Sequence, residues 1–507
     1  MGWNSWLTLS TLTAGAGAVV VDLNWHPPRN TSVNDLAMAL HGSGVYGFIF
    51  NSSHTPDEQY GTYNWCNMPH VRRAEYKRAA KEYELRYVEV IQRHHKRTPY
   101  ASNAFPVESY HWDCDDQGLY YYGAPFPSNN TDVKNTKRPA PGFWKGFTSP
   151  VNPFIPSGWI GTCQFPQITS PGLEDSYVHG EDLYGVYHEL LGFLPARSDD
   201  ADAWRDKVTY RVTNNVITSQ VAGMLIGGTW RTTNPIPLRI AAAGIDSLEP
   251  QYPCATGSKL FNTIKSDAAW QTHLDAARDV YAVLDDISGV PPTDAGFHVS
   301  FDHYFDNLSA RQCHAKPLPC KLSTEGNTSS CVDQALADTV YRLGQWEYSR
   351  MYRDAPTSLA ASVASYGVWI AELAANLRAV ITSGDDDDDE KSLLYRHNVA
   401  HDGSVSRVLS ILQIEVMVWP GMGSEVVFEL YERRGRNLME REEEKERKDD
   451  SSSGYYVRVL FGGQVLRSSN PSLGVMDMLP VETLLAYFDG LVGENASLVV
   501  DKCNGSA

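Results

Sequence analysis

A chain of 507 residues that is 42% apolar and 11% aromatic can bury more than one core, which excludes a disordered or fibrous protein. Its formal charge of -18 at pH 7 excludes nucleic acid and anionic membrane surfaces as bulk partners, since both would be repelled. A basic pocket in so acidic a chain is therefore a local feature with a local purpose.

Residues 1–18 read as a signal peptide. Trp6 to Val21 is largely apolar, and Ala14-Gly15-Ala16-Gly17-Ala18 offers small-x-small cleavage sites, although no Lys or Arg precedes them. Acceptor sequons stand at Asn30, Asn51, Asn129, Asn307, Asn327, Asn495 and Asn504. The eight cysteines show no CxxC or metal spacing, so in a secreted chain they read as disulfides. Cys313, Cys320 and Cys331 are close enough for at least one local bridge. The expected destination is the cell exterior, with cell wall or vacuole as alternatives. Beyond the signal no stretch reads as a membrane span; Leu359 to Ile381 comes nearest, and Glu372, Asn376 and Arg378 interrupt it.

Residues 22–80 lack a long periodic run and are expected to form an extended arm, stapled through Cys66. His26, His54 and His70 in that arm read as surface or packing histidines. Tyr87 to Ile91 is rich in β-branched and aromatic residues, as a buried strand is. It runs into Arg93-His94-His95-Lys96-Arg97-Thr98-Pro99, where Pro99 stops the strand. Arginine forks suit phosphate because they donate in pairs and stay charged at any working pH.

From Ala101 to Ile168 the chain is loop-rich, with aromatics including Trp112, Tyr121, Tyr122 and Trp159 expected to pack the loops. A helix follows within Leu173 to Leu194. Val208 to Val212 is a second strand and carries Arg211, and Thr213 or Asn214 is expected to cap the next helix. Residues 236–358 hold helical stretches such as Ala268 to Leu284 and Val332 to Tyr352, and read as an inserted, mostly α-helical domain. Ser358 to Ile381 returns as an Ala/Leu-rich helix. Leu393 to Ala400 is a third strand leading to His401-Asp402-Gly403-Ser404 and a helix. Glu425 to Tyr431 is an apolar strand whose hairpin partner is Tyr455 to Leu460. The acidic run Asp385 to Glu390 and the mixed-charge run Glu432 to Asp450 read as solvated loops.

The expected fold class is therefore α/β: a mixed, mainly parallel sheet flanked by helices, with the helical insertion. The expected division is 1–18 signal peptide, 19–235 first part of the α/β domain, 236–358 insertion and 359–507 second part.

Three strand ends carry Arg-His-x-x-Arg, Arg and His-Asp, and in an open α/β sheet such ends meet at one crevice. That inventory suits phosphate-ester hydrolysis without a metal or other cofactor. Arginines neutralise the phosphoryl oxygens, a histidine attacks phosphorus, and a carboxylic acid protonates the leaving oxygen.

Arg93-His94-His95-Lys96-Arg97-Thr98-Pro99 resembles the Arg-His-Gly-x-Arg-x-Pro signature of the histidine acid phosphatases, the acid-phosphatase and phytase branch of the histidine phosphatase superfamily. Tyr210 to Asn214 resembles that family's second-arginine segment, and His401-Asp402 its His-Asp dipeptide. The overall flavour is that of secreted fungal members. The resemblance implies His94 as the nucleophile, Arg93, Arg97, Arg211 and His401 as phosphate ligands, and Asp402 as the general acid. It implies a secreted acid phosphatase acting on small phosphate monoesters through a phosphohistidine, most active in acid. His95 departs from the family's glycine, a residue often kept for close backbone approach. Two other readings use the same residues: a non-catalytic secreted glycoprotein that keeps the fold, and a metal-dependent phosphatase with His94, His95, His401 and Asp402 as ligands. A phytase-like specificity would call for more cations than Arg211 alone supplies, so monoesters are the preferred substrate class.

Overall fold

The computed structural model describes residues 19–47, 49, 55–107, 110–116, 119–120, 143–144, 146–147, 149–155, 159–197, 204–234, 236–322, 328–383, 393–434 and 454–505. The signal-peptide reading, the acidic run, most of the mixed-charge run, His54, Tyr121, Tyr122 and the sequons at Asn51, Asn129 and Asn327 lie outside these residues.

One sheet organises the molecule. Its strands are β1 (Tyr83–Arg93), β2 (Val208–Val212), β3 (Leu238–Ile240), β4 (Tyr395–Ala400), β5 (Glu425–Arg433), β6 (Tyr455–Phe461), β7 (Gln464–Val465) and β8 (Leu479–Pro480). They lie in the order β7-β6-β5-β1-β4-β2-β3, with β8 also pairing β6. From β1 through β4 and β2 to β3 the pairing is parallel. From β1 through β5 to β6 and its partners it is antiparallel. The sheet is thus mixed, and its parallel character is confined to the four strands that carry the crossover helices.

Strand alternation sends neighbouring β1 residues to opposite cores. Val88 and Val90 face a core with Leu183 and Tyr184 of α1 (Ser170–Tyr184) and Leu225 and Ile226 of α2 (Val216–Trp230). Tyr87 and Ile91 face the other core, built on helices Ser358–Ser383, Asp402–Ile411 and Val481–Val492. Between β3 and β4 come α3 (Ala255–Lys265), α4 (Asp302–Cys313), α5 (Gln334–Ser349) and α6 (Ser358–Ser383); α7 (Asp402–Ile411) follows β4 and α8 (Val481–Val492) follows β8. A third core joins Phe305 and Leu308 of α4 and Val340 and Tyr341 of α5 to Tyr63, Trp65 and Met68 of the N-terminal arm. The arm is stapled as expected: Cys66 bonds Cys313.

The other bridges are Cys114–Cys163, Cys254–Cys503 and Cys320–Cys331, the last being the local bridge within the cysteine cluster. Two expectations need correction. The cap of α2 is Asn215, whose side chain accepts from the Ile217 amide, because Thr213 is occupied elsewhere. And α6 is long and apolar enough to cross a membrane by composition, with a mean hydropathy of 1.3. Its window is nonetheless 78% buried by the protein's own core, which explains the apolar sequence without a bilayer. Among the sequons, Asn307 is buried, donating to the Asn103 carbonyl and accepting from Arg311, so a glycan has no room there.

Candidate active site

The register of the parallel strands places the site. Arg93 at the end of β1 pairs with Ala400, and Val399 pairs with Val212, so Arg93, Ala400 and Val212–Thr213 end nearly level. The next residues are then forced together at the carboxyl edge. The His94 amide donates to the Ala400 carbonyl (3.1 Å), and the Gly423 amide donates to the His94 carbonyl (3.0 Å). The rings of His94 and His401 meet edge to face, 5.5 Å between centroids.

His94 is buried, and its Nδ1 lies 3.0 Å from the His95 carbonyl. A carbonyl only accepts, so Nδ1 carries the proton and Nε2 keeps its lone pair. Burial first, then the charges of Arg97 and Arg93, hold the imidazole well below the usual histidine range. The fold thus fixes the tautomer of His94 and favours its neutral form.

Arg93 lies 4.6 Å over the Trp65 ring, donates to the Pro420 carbonyl and pairs with Asp402 (Nη2 to Oδ2, 3.1 Å). Arg97 lies 4.2 Å over the Tyr100 ring and pairs with Asp306 of α4 at 2.9 Å. The Nε atoms of both arginines are buried without a hydrogen-bond partner among the described residues. His401 is the residue capping α7, and its Nε2 lies 2.9 Å from the Thr213 hydroxyl. Burial, opposed by Asp402 and reinforced by Arg97 and Arg93, brings it down to about 4. Asp402 opens α7 and receives the Trp419 indole N–H (2.8 Å) and the Gly403 amide (2.7 Å). Burial alone would raise its carboxyl, but Arg93, Trp419, Arg97 and His401 hold it below the usual range. The helix N-terminus acts in the same sense.

Five of the six residues named from sequence thus come together: Arg93, His94, Arg97, His401 and Asp402. Arg211 does not join them. It is the penultimate residue of β2, opposite Asn398, and its guanidinium is held by Glu372 of α6 (2.8 Å), Asp246 (2.8 Å) and Ser247 (2.9 Å). Two carboxylates already neutralise its charge. From the second strand the site receives Thr213 instead.

His95 points away from His94, to the other side of the loop. Its Nε2 lies 3.1 Å from His179 Nδ1, and His179 Nε2 lies 3.0 Å from Glu425 Oε2. The ring lies where a Cβ of Gly423 would stand, with Cε1 2.3 Å from that position. Gly423, at φ +73°, is thus required twice, for its backbone and for the histidine. Lys96 is likewise turned inward, onto Asp175 of α1 at 3.0 Å.

Sequence reasoning missed Trp65, Asp306 and the indole of Trp419. The Asp302/Asp306 spacing of one helical turn was the available signal for α4. Nothing local marks Trp65, which reaches Arg93 through the fold of the arm.

No family model matches the chain, and no curated protein matches it. Among solved structures it is similar to the phytase of Klebsiella sp. ASR1, at 14% identity over 80% of this chain and 95% of that one, with a TM-score of 0.46. It is also similar to the phytase of D. castellii, at 12% identity over 87% of this chain and 86% of that one, with a TM-score of 0.44. A third is the multiple inositol polyphosphate phosphatase of Bifidobacterium longum, at 13% identity over 80% and 92% of the two chains, with a TM-score of 0.42.

Proposed function

We propose that the protein is a phosphoric monoester hydrolase of the histidine acid phosphatase type, acting through a phosphohistidine on His94. The observation that carries the reading is His94 with its Nδ1 held by the His95 carbonyl, set between two buried arginines and facing His401 and Asp402. In the first step the Nε2 lone pair forms the N–P bond while the ester P–O bond breaks toward the leaving oxygen. Asp402 in its acid form gives that oxygen a proton, which releases an alcohol. Water then attacks phosphorus, the N–P electron pair returns to Nε2, and the Asp402 carboxylate takes the water's proton. Arg93 and Arg97, with His401 as a further contact, offset the phosphoryl charge; no metal is needed for this chemistry.

Asp402 is ionised in the free site because Arg93 is its counter-ion. A phosphate dianion that occupies Arg93 takes over that counter-ion and adds negative charge beside the carboxyl. The carboxyl then takes up a proton, which readies the acid and ties activity to low pH. Simple monoesters are the preferred substrates over phytate, because Arg211 is committed to Asp246 and Glu372.

The four disulfides support secretion, since such bridges persist in oxidising compartments. The helices from α3 to α5 fit an insertion that roofs the site. A second reading, a phosphate-binding protein without turnover, draws on the closure of both arginines by carboxylates. Hydrolysis of p-nitrophenyl phosphate by purified protein between pH 4 and 7, lost in His94→Ala, separates the two. An absence of turnover across that range overturns the enzyme.

A further inference from the structure

The first turn of α4 stands over the site by helical spacing. Phe305 packs against Trp65 and against Trp419, 4.4 Å between centroids in each case. Asp306 holds Arg97 and is itself saturated, accepting also from the Tyr100 amide and from Asn103. Asp302 lies three and four residues before these two, on the same stripe of the helix. Its side chain is 50% exposed, so it keeps contact with solvent one turn before the residue that holds Arg97. Tyr348 of α5 stacks on Trp419, 4.0 Å between centroids, and Trp419 in turn donates to the Asp402 carboxylate.

The charges here cancel before any ligand arrives. Arg93 is matched by Asp402 and Arg97 by Asp306, while His94 and His401 are neutral. Asp302 and Glu249, the latter 3.8 Å from His401 Nε2, are carboxylates beyond this balance, and Asp302 is the one carried by α4. We propose that Asp302 is a specificity-determining residue of the phosphate site: from the first turn of α4 it disfavours ligands that carry several anionic groups and tolerates a single phosphate. This inference rests on the reading of the Arg93–Arg97 cleft as a phosphate site.

The groups that face Asp302 are His303 and Asp306 of α4, Asp402 of α7, Glu347 of α5 and Lys265 of α3. Crowding by protein, then Asp306, Asp402 and Glu347, push its carboxyl upward against the opposing Lys265, and solvent at the half-exposed side chain moderates the push. A carboxyl raised in this way gains its charge as pH rises toward neutrality, so discrimination against polyanions strengthens in the same direction.

The test uses binding, which does not need turnover. Calorimetry gives Kd for inorganic phosphate and for inositol hexasulfate, a polyanion that resists hydrolysis, at pH 5 and pH 7.5. The ratio of the two constants is compared between the wild type and Asp302→Asn. Removing one charge from a cleft of intermediate dielectric is expected to shift that ratio toward the hexasulfate about tenfold at pH 7.5, and by less than about twofold at pH 5. An unchanged ratio at pH 7.5, or an equal shift at both pH values, overturns the role of Asp302. Phosphate that fails to bind the wild type overturns the site itself. Turnover of p-nitrophenyl phosphate is scored separately and bears only on the enzyme reading.

Discussion

Arg93 is shared between Asp402, at 3.1 Å, and the face of Trp65, at 4.6 Å, so one guanidinium serves both the acid and the floor of the site. A charged pair of this kind sets the protonation of its carboxylate, and any ligand that competes for the arginine resets it. Asp402→Asn keeps the shape and removes the proton. The expected result is a fall in kcat of about 100-fold or more on an alkyl phosphate, whose leaving oxygen needs protonation. The loss on p-nitrophenyl phosphate should be much smaller, because its leaving group departs as a stable anion. Equal losses on both substrates would show that Asp402 acts through Arg93 alone.

Ligand binding should take up protons. Asp402 is ionised in the free protein, its carboxyl being held low, and is raised when a phosphate occupies Arg93. Between those two values the complex binds more protons than the free site, so phosphate affinity falls as pH rises through that window. Calorimetry of inorganic phosphate in buffers of different ionisation enthalpy measures the uptake directly. Asp402→Asn should reduce it.

His95 and Gly423 form a matched pair, so neither changes cheaply alone. Gly423→Ala would bring a Cβ to within 2.3 Å of the imidazole at a positive φ, and should cost about 2–3 kcal/mol or more. His95→Gly leaves a cavity and removes the hydrogen-bond partner of His179 Nδ1, with a cost of about 2–4 kcal/mol. Denaturant titration checks both. His95→Gly combined with Gly423→Ala should recover part of the combined loss, since the clash is then absent.

Acid stability should respond to His397, which is buried between the Tyr395 hydroxyl and Gln92. Burial first, with a smaller push from His179, brings it down to about 3. Its folded pKa lies below the unfolded value of about 6.5, so its contribution is complete above that value and is lost as pH falls toward the folded pKa. By pH 4 this one group should have withdrawn about 3 kcal/mol. Chemical denaturation at pH 4, 5 and 6.5 should show a flatter profile for His397→Gln than for the wild type.

The sheet was legible because strands of β-branched residues ended in turn or charge signals, and β1, β2, β4, β5 and β6 all fall where those runs lie. The helices after them were legible by period. Register was not legible, and register sets Arg211 two residues behind the level of Arg93. A sequence shows an arginine near a strand end, but only the Asn398 pairing shows that it sits two residues short and faces α6. The histidine in place of the motif glycine posed the same difficulty, because its direction depends on Gly423, more than 300 residues away. Trp65 and Asp306 were hidden for a third reason. They reach the arginines from segments without a motif, through packing that no local pattern records.

The Cys66–Cys313 bridge has a bearing on how the molecule is made. It joins the residue next to Trp65, under Arg93, to the last residue of α4, whose Asp306 holds Arg97. The two cysteines are 247 positions apart, and Asp402 emerges from the ribosome later still. Cys66 therefore waits for its native partner through the synthesis of about half the chain. Closure of the cleft by its native bridge is therefore a late event in the making of the chain.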